Sequence, residues 1–176
     1  MITASHNPRM DNGYKVYGGN GAQIGDKVAK EISEFIKKER NNYMKISCST
    51  VVNENEDLLD IVMKWYINNL KTFMKNLPIS LNMPRVVYTA LHGVGADYVE
   101  KVFEEIFGKR ALIHVSEQKD PDPDFPTVDF PNPEEGRSTL KLAMKLAESE
   151  VVDYIFANDP DADRFCVVER VNYAGI

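Results

Sequence analysis

The sequence predicts an α/β fold: a mixed, mostly parallel sheet with helices on both faces, made of one partial and one near-complete domain. Three observations predict it. Short β-prone runs alternate with amphipathic segments of helical spacing. Two of those runs lead directly into turns, His92-Gly93-Val94-Gly95 and the acidic Asn158 to Arg164. A stretch rich in Asn, Ser, Thr and Glu at 41–56 interrupts the pattern and places a domain boundary near residue 50. Residues 1–50 then close a first domain and 51–176 form the second.

Each element has its own signal. Tyr14, Val16, Ala22 and Ile24 alternate with other residues around Gly18-Gly19-Asn20-Gly21, which predicts a hairpin over Gly13 to Ile24. Val28, Ile32, Phe35 and Ile36 predict a helix from Asp26, as N-cap, to Arg40. One β-prone piece, Ser49 to Val52, lies within the polar stretch. A long amphipathic helix is expected over Asp57 to Lys75, carrying Leu58, Ile61, Val62, Trp65, Tyr66, Leu70 and Phe73 and ended by Pro78. Arg85 to Thr89 reads as a strand, the 92–95 turn follows, and Val99, Val102, Phe103, Ile106 and Phe107 mark a helix. A strand at Ala111 to Val115, an acidic, proline-rich loop over 117–136, a helix from Ser138 to Ser149 and a strand from Val151 to Ala157 close the series. In such sheets ligands bind beyond the carboxyl ends of the strands, so the 92–95 turn and the 158–164 loop should share one rim.

Composition narrows the function. With 43% hydrophobic and 27% charged residues the 176-residue chain reads as a water-soluble globular protein. A net charge of −6 without Lys/Arg clusters argues against a nucleic-acid surface. An anionic ligand would need a local basic pocket or a metal. Cys48 and Cys166 stand far apart, which indicates neither a zinc knuckle nor a disulfide framework and fits a reducing, cytoplasmic setting. No leader and no apolar run of roughly 18 residues is present, so no membrane partner is expected. The chain opens as Met1-Ile2-Thr3-Ala4-Ser5-His6-Asn7-Pro8. A reactive loop normally hangs from elements on both sides, so a further N-terminal segment is expected.

The strongest chemical signal is Asn158-Asp159-Pro160-Asp161-Ala162-Asp163-Arg164. Carboxylates at alternate positions of an extended loop can converge on one point, and oxygen-only ligation selects Mg²⁺, Mn²⁺ or Ca²⁺ over zinc. A solvated acidic turn is the plain alternative. A calcium-binding helix-loop-helix is the rival, but it wants glycine and glutamate where Arg164 and Arg170 stand. Arg164 reads either as a salt-bridge partner of these aspartates or as a phosphate contact beside the metal. Ser5 with His6 pairs a nucleophile with a proton acceptor, a weak signal that does not reach a hydrolase triad. Lys15 is open to reading as a surface lysine.

Taken together, Thr3 to Pro8, Asp11-Asn12-Gly13-Tyr14-Lys15-Val16-Tyr17, His92 to Gly95, Phe130-Pro131-Asn132-Pro133-Glu134-Glu135 and Asp159 to Arg164 resemble the α-D-phosphohexomutase family in order and spacing. Asn20 to Ile24 and Glu117 to Pro123 are most similar to its phosphoglucomutase-2/phosphopentomutase subgroup. The resemblance implies an isomerase that moves a phosphoryl group between two hydroxyls of a sugar phosphate of the glucose 1-phosphate, ribose 1-phosphate or mannose 1-phosphate class. It implies that Ser5 carries the phosphoryl group, that Asp159, Asp161 and Asp163 hold Mg²⁺ with Ser5, and that His6, Lys15 and Arg164 assist transfer. Thr3, Asn7 and His92 would contact substrate. Family members have four domains, and the sugar-recognition and phosphate-binding loops of the third and fourth have no counterpart here. Domains 3 and 4 of the same enzyme are therefore expected as partners, and the polypeptide alone is expected to show little mutase activity. An inactive Mg²⁺-binding fragment and a Mg²⁺-dependent phosphatase with an aspartate nucleophile remain as alternatives.

Overall fold

The computed structural model describes residues 1–43, 57–77, 84–108, 111–135 and 137–171. The boundary near residue 50, the β-prone piece at 49–52, Cys48 and Pro78 lie outside the described residues. The elements run α1 (Asp26–Tyr43), α2 (Leu59–Lys75), β1 (Val86–Thr89), α3 (Ala96–Ile106), β2 (Leu112–His114), α4 (Lys141–Ser149), β3 (Tyr154–Asn158) and β4 (Phe165–Glu169), with single 3₁₀ turns at Ser116–Gln118 and Pro133–Glu135.

Four strands form one sheet in the order β2-β1-β3-β4. β1 is parallel to β2 and β3, while β4 returns antiparallel to β3. The expected mostly parallel sheet is thus present, and its strand alternation assigns the two faces. On one, Val87, Val115, Val152 and Ile155 pack against Ala143 and Ala147 of α4. On the other, Tyr88 and Phe156 pack against Ala96 and Val99 of α3. Burying an aliphatic side chain such as Val87 or Ile155 contributes about 1.5–3 kcal/mol. The sheet's central strands therefore need no polar face.

Several expectations required correction. The sequence pattern ends with a strand at Val151 to Ala157 and does not announce β4. Cys166 and Val168 of β4 face inward while Phe165, Val167 and Glu169 are exposed, a period-two signal overshadowed by the charged loop before it. Val151 has φ 53° and ends a turn, so β3 begins later than expected, at Tyr154. Residues 138–140 form a turn ahead of α4. The 13–24 segment makes only isolated bridges, Ile2 with Tyr14 and Tyr17 with Gln23, although Gly18 N–H does donate to Ala22 O at 2.9 Å across the predicted glycine turn. Asp26 is the first residue of α1 itself, not its cap.

The helical faces also differ. α2 buries Met63 and Ile67, whereas Ile61, Trp65 and Phe73 are exposed. The helix is apolar on two sides and packs against α3 on one. Its N-cap residue, Leu58, makes no side-chain cap bond, but the Asp57 carboxylate before it accepts from Leu59 N–H at 2.9 Å. Val28, Ile32, Phe35 and Ile36 of α1 are likewise exposed. Among the described residues no helix is long and apolar enough to cross a membrane.

Candidate functional site

The first residues hold their place by pairing with the segment that follows the reactive loop. Thr3 N–H donates to Gly13 O at 3.0 Å, Lys15 N–H to Met1 O at 2.8 Å, and the Met1 ammonium to Lys15 O at 2.9 Å. Alternation along this antiparallel strip puts Thr3 and Lys15 on one side and Ile2 and Tyr14 on the other. Ile2 and Tyr14 are exposed. Gly13 is needed at the crossing, since a Cβ there would lie 2.8 Å from the Thr3 carbonyl oxygen.

Between the two halves of the strip the chain turns tightly, with Asn7 N–H donating to Ala4 O at 3.1 Å. Ser5 has φ 55°, a left-handed conformation that costs an L-residue about 1–2 kcal/mol. It is held there partly by its own N–H, which donates to Thr3 Oγ1 at 2.9 Å. Backbone strain maintained by surrounding bonds in this way is typical of functional positions.

The facing half of the site connects β3 to β4. Ala162 N–H donates to Asp159 O at 2.9 Å and Ala162 has φ 60°, so this loop is a tight turn, not the extended segment that alternate carboxylates predicted. The aspartates consequently point to different partners. Asp159 is fully buried; its Oδ1 accepts from Arg164 N–H at 3.0 Å and its Oδ2 from the Ser5 hydroxyl at 3.4 Å. Asp161 accepts from the Thr3 hydroxyl and from Lys15 Nζ, the latter at 2.8 Å. Asp163 is half exposed and accepts from the same ammonium at 2.8 Å.

The 92–95 turn forms the back wall, on the rim that the fold predicted. Val94 N–H donates to Pro160 O at 2.9 Å. A Cβ on Gly93 would lie 2.2 Å from Pro160 Cα, so the two backbones touch only because residue 93 is glycine.

His6 joins the two halves. Its Nδ1 is 3.2 Å from Ser5 Oγ and 2.6 Å from Arg164 Nη2. A guanidinium can only donate, so Nδ1 is an acceptor; its single lone pair takes the bond from Arg164, while the Ser5 hydroxyl beside it donates to Asp159. The ring stands edge-on to Phe130, 4.9 Å between centroids. Arg164 also places Nε 3.4 Å from Asp159 Oδ2. The ion-pair reading of Arg164 is thus met by Asp159, and its guanidinium also reaches the histidine that follows the serine.

The electrostatics follow from these contacts. The hydrogen bond to Asp161, then that to Asp163, holds the Lys15 ammonium well above the usual lysine value, against the opposing effect of burial. The hydrogen bond from Lys15 in turn holds Asp163 below the ordinary carboxylate range. Among the described residues no three His, Cys, Asp or Glu side chains already surround one point as metal ligands do. The donor set nevertheless fits a hard divalent cation in kind. Asp159, Asp161 and Asp163 offer only oxygen, Asp159 lies beside the Ser5 hydroxyl, and a lysine already places positive charge between the other two.

The remaining candidates are not in this cluster. Asn7 is exposed and gives its N–H to the turn. His92 is buried, and its Nε2 lies 2.8 Å from Thr127 Oγ1, which fastens the proline-rich loop to the rim. Gln118 takes part in the same network, donating to Thr127 and accepting from Thr89. Arg9 makes an exposed ion pair with Asp124, one nitrogen reaching both carboxylate oxygens, a contact that surrounding water screens. Sequence reasoning missed Phe130 as a wall for His6, and it missed Tyr88, whose hydroxyl reaches Asn158 at 3.0 Å. Asn158 stands directly before the acidic motif and was visible in it, whereas nothing in the sequence marks Tyr88.

Comparison with known proteins bears on the family and the fold. Residues 64–172 match the model for phosphoglucomutase/phosphomannomutase alpha/beta/alpha domain II, and residues 1–43 match that for domain I. The chain is 45% identical over 174 residues to mouse glucose 1,6-bisphosphate synthase, covering 96% of this chain and 28% of that protein. It is 40% identical over 174 residues to human phosphopentomutase, covering 97% and 28%. A crystal structure ascribed to a phosphomannomutase from Thermus thermophilus superposes with a TM-score of 0.66 at 24% identity, over 96% of this chain and 36% of that one. This chain thus spans little more than a quarter of the curated relatives it matches. With a domain II match over most of its length and a domain I match carrying Ser5, the chain belongs to the phosphoglucomutase/phosphomannomutase family.

Proposed function

We propose that this chain carries the phosphoserine half of a sugar phosphomutase, an intramolecular phosphotransferase interconverting a sugar 1-phosphate with the 6- or 5-phosphate through a sugar bisphosphate. The observation that carries the reading is the approach of Ser5 Oγ to Asp159 Oδ2, with His6 Nδ1 and Arg164 beside them. The names of the relatives, a glucose 1,6-bisphosphate synthase and a phosphopentomutase, support hexose or pentose phosphates as substrates. Residues 1–50 close domain I and 51–176 make domain II, a division supported by family matches at 1–43 and 64–172. Domains 3 and 4 of the same enzyme would supply the sugar-recognition and distal phosphate contacts. Two widely separated cysteines, with Cys166 free, support a reducing, cytoplasmic setting.

In the transfer step the bond between phosphorus and Ser5 Oγ breaks as a sugar hydroxyl oxygen bonds to phosphorus. The sugar hydroxyl gives up its proton, the phosphoryl group moves to the sugar oxygen, and the Ser5 oxygen left behind takes up a proton. His6 Nδ1, 3.2 Å from Ser5 Oγ, is placed to exchange a proton there once the bond from Arg164 is released. Arg164 and Lys15 offset the charge of the transferring group. Asp159, Asp161, Asp163 and Ser5 would hold Mg²⁺, which when bound neutralises phosphoryl oxygens. Thr3 fixes the Ser5 amide and Asp161 relative to one another.

The phosphatase alternative is disfavoured by Asp159. Asp159 is fully buried, whereas the Ser5 hydroxyl beside it is partly exposed, so a phosphoryl group meets the serine oxygen first. The test is intact mass after incubation with glucose 1,6-bisphosphate. A gain of about 80 Da that is absent in Ser5→Ala is expected. No gain in the wild type would favour an inert metal-binding fragment, and a gain that persists in Ser5→Ala would reassign the nucleophile.

A further inference from the structure

The 159–164 turn is closed by a pair of side chains that take no part in the chemistry above. Asn158, the last residue of β3, lies beside the buried Tyr88 of β1, whose register partner is Phe156. The Tyr88 hydroxyl is 3.0 Å from Asn158 Oδ1, and Asn158 Nδ2 donates to the Arg164 carbonyl oxygen at 2.6 Å. The amide has one orientation here, because the Arg164 carbonyl can only accept. It must face the NH₂ group, which leaves Oδ1 to accept from tyrosine. The chain of bonds therefore runs one way, from the Tyr88 hydroxyl through the Asn158 amide to the Arg164 backbone.

Its consequence is geometric. Asn158 and Arg164 flank the turn, so the amide sets the separation of its two ends. Inside that frame Arg164 N–H meets Asp159 Oδ1 and Ala162 N–H meets Asp159 O. The carboxylate nearest Ser5 and the guanidinium nearest His6 are thus carried by the two ends that the clamp spans. The Tyr88 hydroxyl is itself confined, since a Cβ on Gly95 would lie 2.8 Å from it and 3.0 Å from Ala162 Cβ. Burial, and then the charge of Asp159, push the Tyr88 phenol well above its usual value, so the hydroxyl stays a donor across the working range. The same hydroxyl stands at the polar end of an apolar cavity of about 570 Å³ lined by Met63, Trp65, Val99 and Phe103, where bulk water offers less competition for the bond.

We propose that Tyr88 and Asn158 are positioning residues that hold the Asp159–Arg164 turn in register with Ser5, and that they act through the hydroxyl-to-amide-to-carbonyl relay. The chemistry served by the clamp rests on the phosphomutase reading above; its geometry does not. Outer partners of a metal or phosphate site commonly change affinity by about 10–100-fold when removed. Tyr88→Phe deletes one oxygen and keeps the ring, and Asn158→Asp replaces the donor facing the Arg164 carbonyl with an acceptor.

Hydrogen exchange on the chain without added metal is the first test. Tyr88→Phe and Asn158→Asp should each speed exchange of the Ala162 and Arg164 amides about tenfold relative to the Val87 and Ile155 amides of the sheet. Unchanged relative exchange, or uniform acceleration of all four, overturns the proposal. The second test is Mn²⁺ binding followed by electron paramagnetic resonance, where Tyr88→Phe should weaken affinity about tenfold and broaden the bound spectrum. Equal affinity and spectrum in wild type and variant overturn the proposal. A wild-type chain that binds no Mn²⁺ sinks the metal reading instead, and the exchange comparison then decides the clamp.

Discussion

The Ser5 hydroxyl oxygen lies 3.4 Å from Oδ2 of Asp159, a carboxylate 154 positions further along the chain. Neither residue is near the other through any regular element. Ser5 is held by the strip that joins residues 1–3 to 13–15, and Asp159 by the end of β3. Their meeting depends on Thr3, which bonds the Ser5 amide on one side and Asp161 on the other.

Thr3→Val keeps the shape of the side chain and removes both bonds. Urea unfolding should show a loss of about 1–2 kcal/mol, typical of a partly buried hydroxyl with a charged partner. Phosphorylation of Ser5 by a sugar bisphosphate, followed by mass, should slow as well. Thr3→Ser should retain both properties, and a wild-type rate in Thr3→Val would count against the link.

Gly93→Ala drives a methyl into the Pro160 backbone, 2.2 Å from its Cα and 2.5 Å from its oxygen. Backbone cannot yield as a flexible side chain does. A destabilisation of about 1–3 kcal/mol is expected in chemical denaturation, together with displaced amide resonances in the 159–164 turn. Gly19→Ala, where a Cβ meets nothing within 4 Å, is the control.

Lys15→Met removes the ammonium that Asp161 and Asp163 share. A cation bound by those carboxylates no longer competes with it or feels its repulsion. Mn²⁺ should bind about tenfold more tightly, equivalent to about 1.4 kcal/mol, while the unliganded chain loses stability through repulsion between the two carboxylates. Calorimetric titration that finds equal or weaker affinity would show that Lys15 assists, not opposes, the cation.

Acid should destabilise the fold through two of its histidines. Burial pushes the imidazoles of His92 and His114 below their usual value of 6.5, only partly offset by Asp122 for the first and by Glu100 and Asp97 for the second, where Lys119 adds to the depression. Both are harder to protonate folded than unfolded, so below pH 6.5 the unfolded chain takes up protons first and stability falls as pH drops. The loss levels off once the folded-state values are passed. Urea midpoints measured from about pH 7.5 to about pH 5 should show this decline, and His92→Gln or His114→Gln should flatten it. A midpoint constant across that range in the wild type would refute the assignment.

Much of the fold was legible because its signals are local. The 3–4 spacing of Val99, Val102, Phe103 and Ile106 marks α3, and the turn at 92–95 announces the end of β1. β4 escaped because three of its five residues are exposed and it makes sense only as a partner of β3. The apolar faces of α1 and α2 were legible as patterns, but which of them is covered depends on neighbours that periodicity does not name.

The sequence by itself determined the chemical types: a serine beside a histidine, carboxylates at 159, 161 and 163, and an arginine at 164. It also determined that the acidic motif follows a strand and therefore lies at the rim of a sheet. Only the tertiary structure decided that the motif is a turn, that Asp159 is buried against Arg164, that Lys15 spans the other two aspartates, and that Tyr88 closes the loop through Asn158. The physical reason is range. Residue type and spacing act over a few bonds of chain, whereas the direction of each carboxylate is set by donors at 3, 5, 15 and 164 that only folding brings together.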